Sequence, residues 1–277
     1  SSRLFWPGSP LGIGPVARQT SAIFDVYWNS DWVMPASALQ IAVSAAEQAE
    51  NRAQLIQRLN ESASIARFPL APQSWFNELA ALHSRLHIGT SQVYSDLPSG
   101  ETIEQVMLEK ISAMTLTAQR ELLIINAYII PAERGIATLR KLNERGVKMG
   151  ILTNSLASHD VPAVNSHYKR WRKPILKAGA VLYEMRHDAQ IQSLVSDTAP
   201  TRAKFMGLHS KAMVIDRERV YIGSMNYDPR SAWLNTEMGV FVESRGLGEA
   251  LATLIERDMA LTNSWRVELD ADGALSW

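Results

Sequence analysis

Cysteine is absent from the 277 residues, which excludes disulfides and thiolate metal sites and leaves the redox compartment unreadable. An excess of either charge is missing too, since 28 lysines and arginines balance 28 aspartates and glutamates. Nothing therefore supports broad electrostatic attraction to nucleic acid or anionic lipid, and a nucleic acid partner is not expected. The longest strongly apolar run, Leu122 to Ile130, falls far short of the roughly 20 residues that a membrane-spanning helix needs. The chain opens without an initiator methionine and without a charged segment leading into an apolar one. Residues 1–14 (SSRLFWPGSPLGIG) are rich in Pro, Gly and Ser, lack periodicity, and are expected to be a disordered end or the cut edge of a fragment or processed product. No short-period repeat is visible.

What the chain does have, at 46% hydrophobic, is enough apolar material for a sizeable core. Helical spacing marks Val16 to Trp28, Ala36 to Leu59 and, after Pro69 and Pro72, Trp75 to Leu86. The turn-like Asp96-Leu97-Pro98-Ser99-Gly100 is expected to close this helical portion, residues 15–100. An α/β portion, residues 101–277, follows. There a helix (Thr102 to Gln119) leads to the apolar strand Leu122 to Ile125. A helix from Glu133 to Glu144 stops at Gly146, strand Val147 to Leu152 follows, and a helix from Ala163 to Lys177 leads to strand Ala180 to Tyr183. Two β-α-β crossovers in a row predict parallel strands covered by helices. Beyond a loop at Gln190 to Pro200, strands are expected at Lys211–Ile215, Arg219–Ile222 and Glu237–Val242, and a final helix at Leu247–Leu261.

Chemistry concentrates between His209 and Asn226, in the pattern His209-x-Lys211-x4-Asp216-x6-Gly223-Ser224-x-Asn226. Covalent phosphodiester transfer needs a nucleophile that also leaves easily, cationic and amide donors for the non-bridging oxygens, and an acid for the departing alkoxide. Residues i and i+2 of a strand share a face, so His209 and Lys211 can reach one phosphate, and Ser224 and Asn226 repeat the relation past the next strand. Gly223 lets the backbone approach the ligand without a Cβ. Asp216 falls in the turn, which suits a structural carboxylate better than a reacting one. A reactive histidine also wants its second nitrogen held by a carboxylate, and Glu237 in the next strand is the natural candidate.

Other features have plainer readings. His83 and His87 could share a helix face and bind metal, but no third ligand stands at matching spacing, so ordinary helix histidines are expected. The run Lys169-Arg170-Trp171-Arg172-Lys173 spreads its charges around a helix and reads as solvated surface rather than a headgroup site. Asp228-Pro229 suits a capped helix start, and Arg230 is a candidate anion contact. The eight tryptophans, among them Trp28, Trp32, Trp75 and Trp171, suit an interfacial enzyme, although most are expected to be packing.

The His209 box resembles the HKD motif of the phospholipase D superfamily. Its context, GLHSKAMVIDRERVYIGSMNYDPRSAWLNTEMGVFVES from Gly207 to Ser244, resembles the C-terminal HKD half of bacterial cardiolipin synthases without transmembrane helices. ELLIINAYIIP, RGVKMGILTNSLASHDVPAV and LKAGAVLYEM are similar to the run leading into that motif, and FDVYWNSDW to the segment following the first one. The resemblance implies a mixed, largely parallel sheet sandwiched by helices, and a phosphohistidine reaction without metal or cofactor. Position by position it implies that His209, Lys211, Asp216, Asn226 and Glu237 form the catalytic set, and that Lys211, Gly223, Ser224 and Asn226 bind the substrate phosphate. It also implies phospholipid substrates such as phosphatidylglycerol, and a bacterial protein peripheral to the inner membrane. Relatives tend to carry a histidine near position 165, where this chain has Asn165, with His167 nearby.

In that family two HKD motifs face each other, one histidine acting as nucleophile and the other as general acid. This chain has no second H-x-K-x4-D, because His83, His87, His159 and His187 lack a lysine two residues on, and His167, which is followed by Lys169, has Pro174 where the aspartate would stand. The expectation is half an active site, completed by a missing N-terminal HKD half or by a homodimer partner. The rival readings are hydrolysis by a phospholipase D or phosphodiesterase, and a catalytically silent half-domain.

Overall fold

A strand flanked on both faces by helices must be apolar on both faces. Leu122, Leu123, Ile124 and Ile125 meet that demand, and all four are buried. The computed structural model describes residues 12–39, 43–61, 77, 80–82, 86–99, 104–159, 161–195 and 206–277. The strands are β1 (Thr90–Ser95), β2 (Glu121–Asn126), β3 (Lys148–Asn154), β4 (Val181–Met185), β5 (Lys211–Ile215), β6 (Arg219–Gly223), β7 (Met238–Glu243), β8 (Ser264–Leu269) and β9 (Leu275–Ser276). They form one sheet in the order β1-β7-β6-β5-β2-β3-β4-β8-β9.

The helices are α1 (Pro15–Trp28), α2 (Ala45–Glu61), α3 (Val106–Leu116), α4 (Ala132–Glu144), α5 (Pro162–Tyr168), α6 (Arg172–Lys177), α7 (Gln192–Val195), α8 (Pro229–Trp233) and α9 (Arg245–Met259). Both expected crossovers are present, through α4 and through α5 and α6, and β2 pairs with β3 and β3 with β4 in parallel. Among the described strands the parallel part is confined to these three, and the other strand pairs are antiparallel; an isolated parallel bridge joins Ile129 and Tyr227. Between β5 and β6 the tight turn imposes the antiparallel pairing, because parallel neighbours need a long crossover.

Alternation along the strands feeds two cores. Leu122, Ile124, Ile151, Leu182, Met213 and Tyr221 meet α3 and α4 through Met107, Ile111, Ile136 and Leu142 on one face. Leu123, Ile125, Leu152, Val214 and Val220 meet Leu251, Ile255 and Met259 of α9 on the other. Gly146 and Gly179 end their helices with φ of 77° and 92°, the left-handed conformation a glycine adopts without strain.

Several elements differ from expectation, among them α7, which lies in the stretch expected to be a loop. β1 lies within the stretch read as helical up to residue 100, and it forms a sheet edge against β7. Its sequence TSQVYS is too short and polar to announce a strand, and partners decide it. α1 braces this edge, with Val93 donating its amide to Gln19 Oε1 at 3.0 Å. The helix expected over Ala163–Lys177 breaks into α5, a 3-10 turn at Lys169–Trp171 and α6. Pro174 has no N–H to offer the carbonyl four residues back and clashes with it. The stretch Ala36–Leu59 is likewise divided, into a 3-10 turn at Ala36–Leu39 and α2. β8 and β9 extend the sheet past β4. Trp75 and His83, of the expected third helix, lie outside the described residues; Asn77 and Ala80–Leu82 are helical.

Candidate active site

The register gathers the box at one end of the sheet. His209 lies in the irregular residues 206–210 just before β5, Lys211 opens β5 opposite Asn126, and Ser224 and Asn226 follow β6. Glu237 immediately precedes β7, whose Gly239 pairs with Gly223. This is also the carboxyl end of parallel β2 and β3, where the sheet turns from parallel to antiparallel.

The His209 ring faces solvent, while Lys211 is buried and donates from Nζ to the His209 carbonyl at 2.8 Å. Glu237 is 5% exposed. One of its carboxylate oxygens accepts from the Ser224 hydroxyl and the other from Asn235 Nδ2 at 3.2 Å. In this structure the carboxylate is thus engaged by Ser224 and Asn235 rather than by the His209 ring. Met238 donates its amide to Ser224 Oγ at 3.0 Å, which locks the serine to β7. Behind Glu237 stands Asp96, also buried, which accepts from the amides of Glu237 and Met107 at 3.0 Å each. Burial pushes the Asp96 carboxyl above its ordinary range, outweighing those amide bonds, and the Glu237 charge pushes the same way. Asn226 Oδ1 is buried without a hydrogen-bond partner. Such an orphan costs about 1–3 kcal/mol.

Gly223 has a different reason from the expected one. A Cβ there would stand 2.5 Å from the Met238 carbonyl oxygen and 2.5 Å from the Tyr221 hydroxyl. The protein's own strand and ring already forbid a side chain there. Gly223→Ala should therefore cost about 1–3 kcal/mol through overpacking and displace Ser224. Thermal denaturation with amide chemical shifts at Ser224 and Met238 tests this, and an unchanged midpoint with unchanged shifts would refute it.

Asp216 does not join the others. It sits at the far end of β5, separated from Lys211 by a strand of roughly 16 Å at ~3.3 Å per residue. Its carboxylate accepts the amides of Gln119, Arg120 and Glu121 and an ion pair from Arg219 at 2.9 Å. It is 5% exposed and has a φ of 53°. Among the residues grouped as catalytic, Asp216 is a structural carboxylate that ties the β5–β6 turn to the start of β2.

The remaining features sort by burial. Arg172 is buried in a pair with Glu184 at 2.6 Å, and Tyr168 and Trp277 also donate to Glu184, at 2.7 and 2.9 Å. Lys169, Arg170 and Lys173 are exposed, as a solvated run would be. Asp228 caps α8 by accepting the Ser231 amide at 2.9 Å, and Arg230 is exposed. His87 is exposed, Asn165 is buried and His167 is exposed. Trp171 is buried, whereas Trp28 and Trp32 are exposed, as are Trp233 and Leu234 just beyond Asn226.

Sequence reasoning missed Asp96, Asn235 and two asparagines, Asn126 and Asn154, that close β2 and β3. For the two asparagines the available signal was a polar residue interrupting the run Leu122–Ile130 at Asn126 and the Thr153-Asn154 pair after Leu152.

A family model described as "Cardiolipin synthase, PLD-like domain" matches residues 111–259, just over half of the chain. The chain belongs to that family. Cardiolipin synthase C of Escherichia coli K12 is 33% identical over 96% of this chain and 57% of its own length. Cardiolipin synthase B of Shigella flexneri is 29% identical over 50% of this chain and 29% of its own length. A phospholipase D family member, Nuc from Salmonella typhimurium, superposes with a TM-score of 0.45 at 18% identity, covering 65% of this chain and 99% of that one. The chain thus spans about half the length of the curated relatives it matches. Among the described residues of this cardiolipin synthase-like domain, no helix is long and apolar enough to cross a membrane.

Proposed function

We propose that this domain carries one half of a phosphatidyl-transfer site working on phospholipids at a bacterial membrane surface. The observation that carries the reading is the placement of His209, Lys211, Ser224, Asn226 and Glu237 at one end of the sheet. In the reaction, an imidazole attacks the phosphorus of a phosphatidyl donor, and the headgroup alkoxide leaves with a proton from a second imidazole. The hydroxyl of a phosphatidylglycerol-like acceptor then displaces the histidine and returns a proton. Lys211 and the Asn226 amide stabilise the charge that builds on the non-bridging oxygens, and the steps call on no metal or cofactor. His209 supplies one of the two imidazoles; a first-motif half or a second copy of this chain supplies the other.

Solution mass together with turnover of phosphatidylglycerol vesicles tests the reading, with the chain alone and with a first-motif half added. Cardiolipin with released glycerol supports transfer. Phosphatidic acid as the sole product would replace transfer by hydrolysis. A strictly monomeric chain that stays inactive even with the added half would overturn the enzymatic reading.

A further inference from the structure

We infer that Asn154 and Asn126 are positioning residues, whose side-chain amides fasten the His209 and Asn226 segments to the carboxyl ends of β3 and β2. Leu208, the neighbour of His209, lies in no strand. Asn154 takes the place of the missing strand partner. Its Oδ1 accepts the Leu208 amide at 2.8 Å and its Nδ2 donates to the Leu208 carbonyl at 2.8 Å. The two bonds reproduce what a backbone partner exchanges across an antiparallel pair. The remaining capacity is also used: Nδ2 donates to the Ala127 carbonyl at 3.2 Å, and Oδ1 accepts from Ser158 Oγ at 3.1 Å. Both amide hydrogens and both acceptor positions are therefore occupied, in a side chain only 1% exposed.

Asn126 performs the matching task one strand over. Fully buried, it donates from Nδ2 to the Met225 carbonyl at 3.2 Å. Its Oδ1 accepts the amides of Tyr128 at 3.2 Å and Tyr227 at 3.3 Å. Met225 and Tyr227 flank Asn226, so the clamp holds both sides of that residue. Ala127, next to Asn126, is also the acceptor of Asn154 and of Thr153 Oγ1, which joins the two clamps into one network. Neither asparagine has been placed on the reacting phosphate; they act through the backbone of the residues that are.

The chemistry of the two clamps predicts a specific rank order. A carboxylate accepts but does not donate. Asn126→Asp keeps both amide bonds and loses one donor. Asn154→Asp loses two donors and turns a negative oxygen onto the carbonyls of Leu208 and Ala127. Asn154→Asp should therefore be the more damaging of two equally isosteric changes.

This inference rests on the phosphatidyl-transfer reading for its kinetic arm only. Hydrogen exchange on the chain should show the Leu208 amide exchanging at least ~10²-fold faster in Asn154→Ala, relative to the Ile151 amide in the same sample. With bis(p-nitrophenyl) phosphate, and the first-motif half added where turnover requires it, Asn154→Asp should lower kcat about 10²-fold with KM near that of the parent. Asn126→Asp should lower it less. Leu142→Ala, a core change remote from the box, serves as a control of comparable instability and should keep kcat within a few-fold. Positioning is overturned if Leu208 protection falls only in step with Ile151, or if Leu142→Ala costs as much kcat as Asn154→Asp. A parent without turnover would count against the transfer reading alone, and the exchange ratio would then decide the positioning claim by itself.

Discussion

His209→Ala should lower phosphodiester turnover roughly 10⁴-fold or more, while its thermal midpoint stays close to the parent's. The separation of the two effects is the informative part. The imidazole is exposed and lies before the first residue of β5, and the structure gives it no hydrogen bond on which the fold depends. Exposed substitutions of that kind change stability by about 0.5 kcal/mol or less. Removing an imidazole that serves as nucleophile or as acid removes a covalent step or a proton transfer, and nothing else at the site supplies either. His209→Asn would test the same point with a polar side chain of similar reach. Turnover of phosphatidylglycerol vesicles or of bis(p-nitrophenyl) phosphate, measured beside a melting curve, checks both halves. Retention of more than a tenth of the parent activity would remove His209 from the chemistry.

Asp216→Asn should do the opposite, costing about 3 kcal/mol of stability with a smaller effect on chemistry. At roughly 2–4 °C per kcal/mol for a domain of this size, the midpoint should fall by about 6–12 °C. Asparagine tolerates the left-handed backbone at this position, so the loss reports the charge and its bonds rather than strain. Burial alone would raise the Asp216 carboxyl, but the amides of Glu121, Arg120 and Gln119 and the Arg219 charge outweigh it and hold it below its ordinary value. A carboxylate lowered in the folded state contributes stability that is complete above the unfolded pKa, about 4. That contribution is lost as pH falls through the folded value. The parent should therefore lose this increment in acid below about pH 4, and the Asp216→Asn difference should shrink there. Melting curves from pH 7 to pH 3 measure it, and a difference that stays constant with pH would refute the assignment.

Much of this molecule was legible because its central elements follow strong local rules. The apolar run at Leu122–Ile125, the helix stop at Gly146, and the two crossovers all depend on short-range patterning. β1 was not legible, since TSQVYS becomes a strand only through its pairing with β7. Nor was the break at Trp171 and Arg172, where a basic run on paper contains one arginine buried against Glu184. Gly223 was legible as a required glycine, but its reason, the Met238 carbonyl and the Tyr221 ring, lies on a neighbouring strand and on a residue two positions earlier.

Local chemistry alone marks which residue types could handle phosphate, and the spacing of two relates His209 to Lys211 and Ser224 to Asn226. Those properties depend on side-chain chemistry and a period of two. Tertiary structure alone decided which of them share an end of the sheet. The length of β5 carries Asp216 away from the box, and the antiparallel return of β6 brings Ser224 and Asn226 back to it. Tertiary structure also decided what holds them, because Asp96, Asn126 and Asn154 reach the box only through strands distant in the chain. A hydrogen bond across 54 residues, such as that from the Leu208 amide to Asn154, leaves no trace in local pattern.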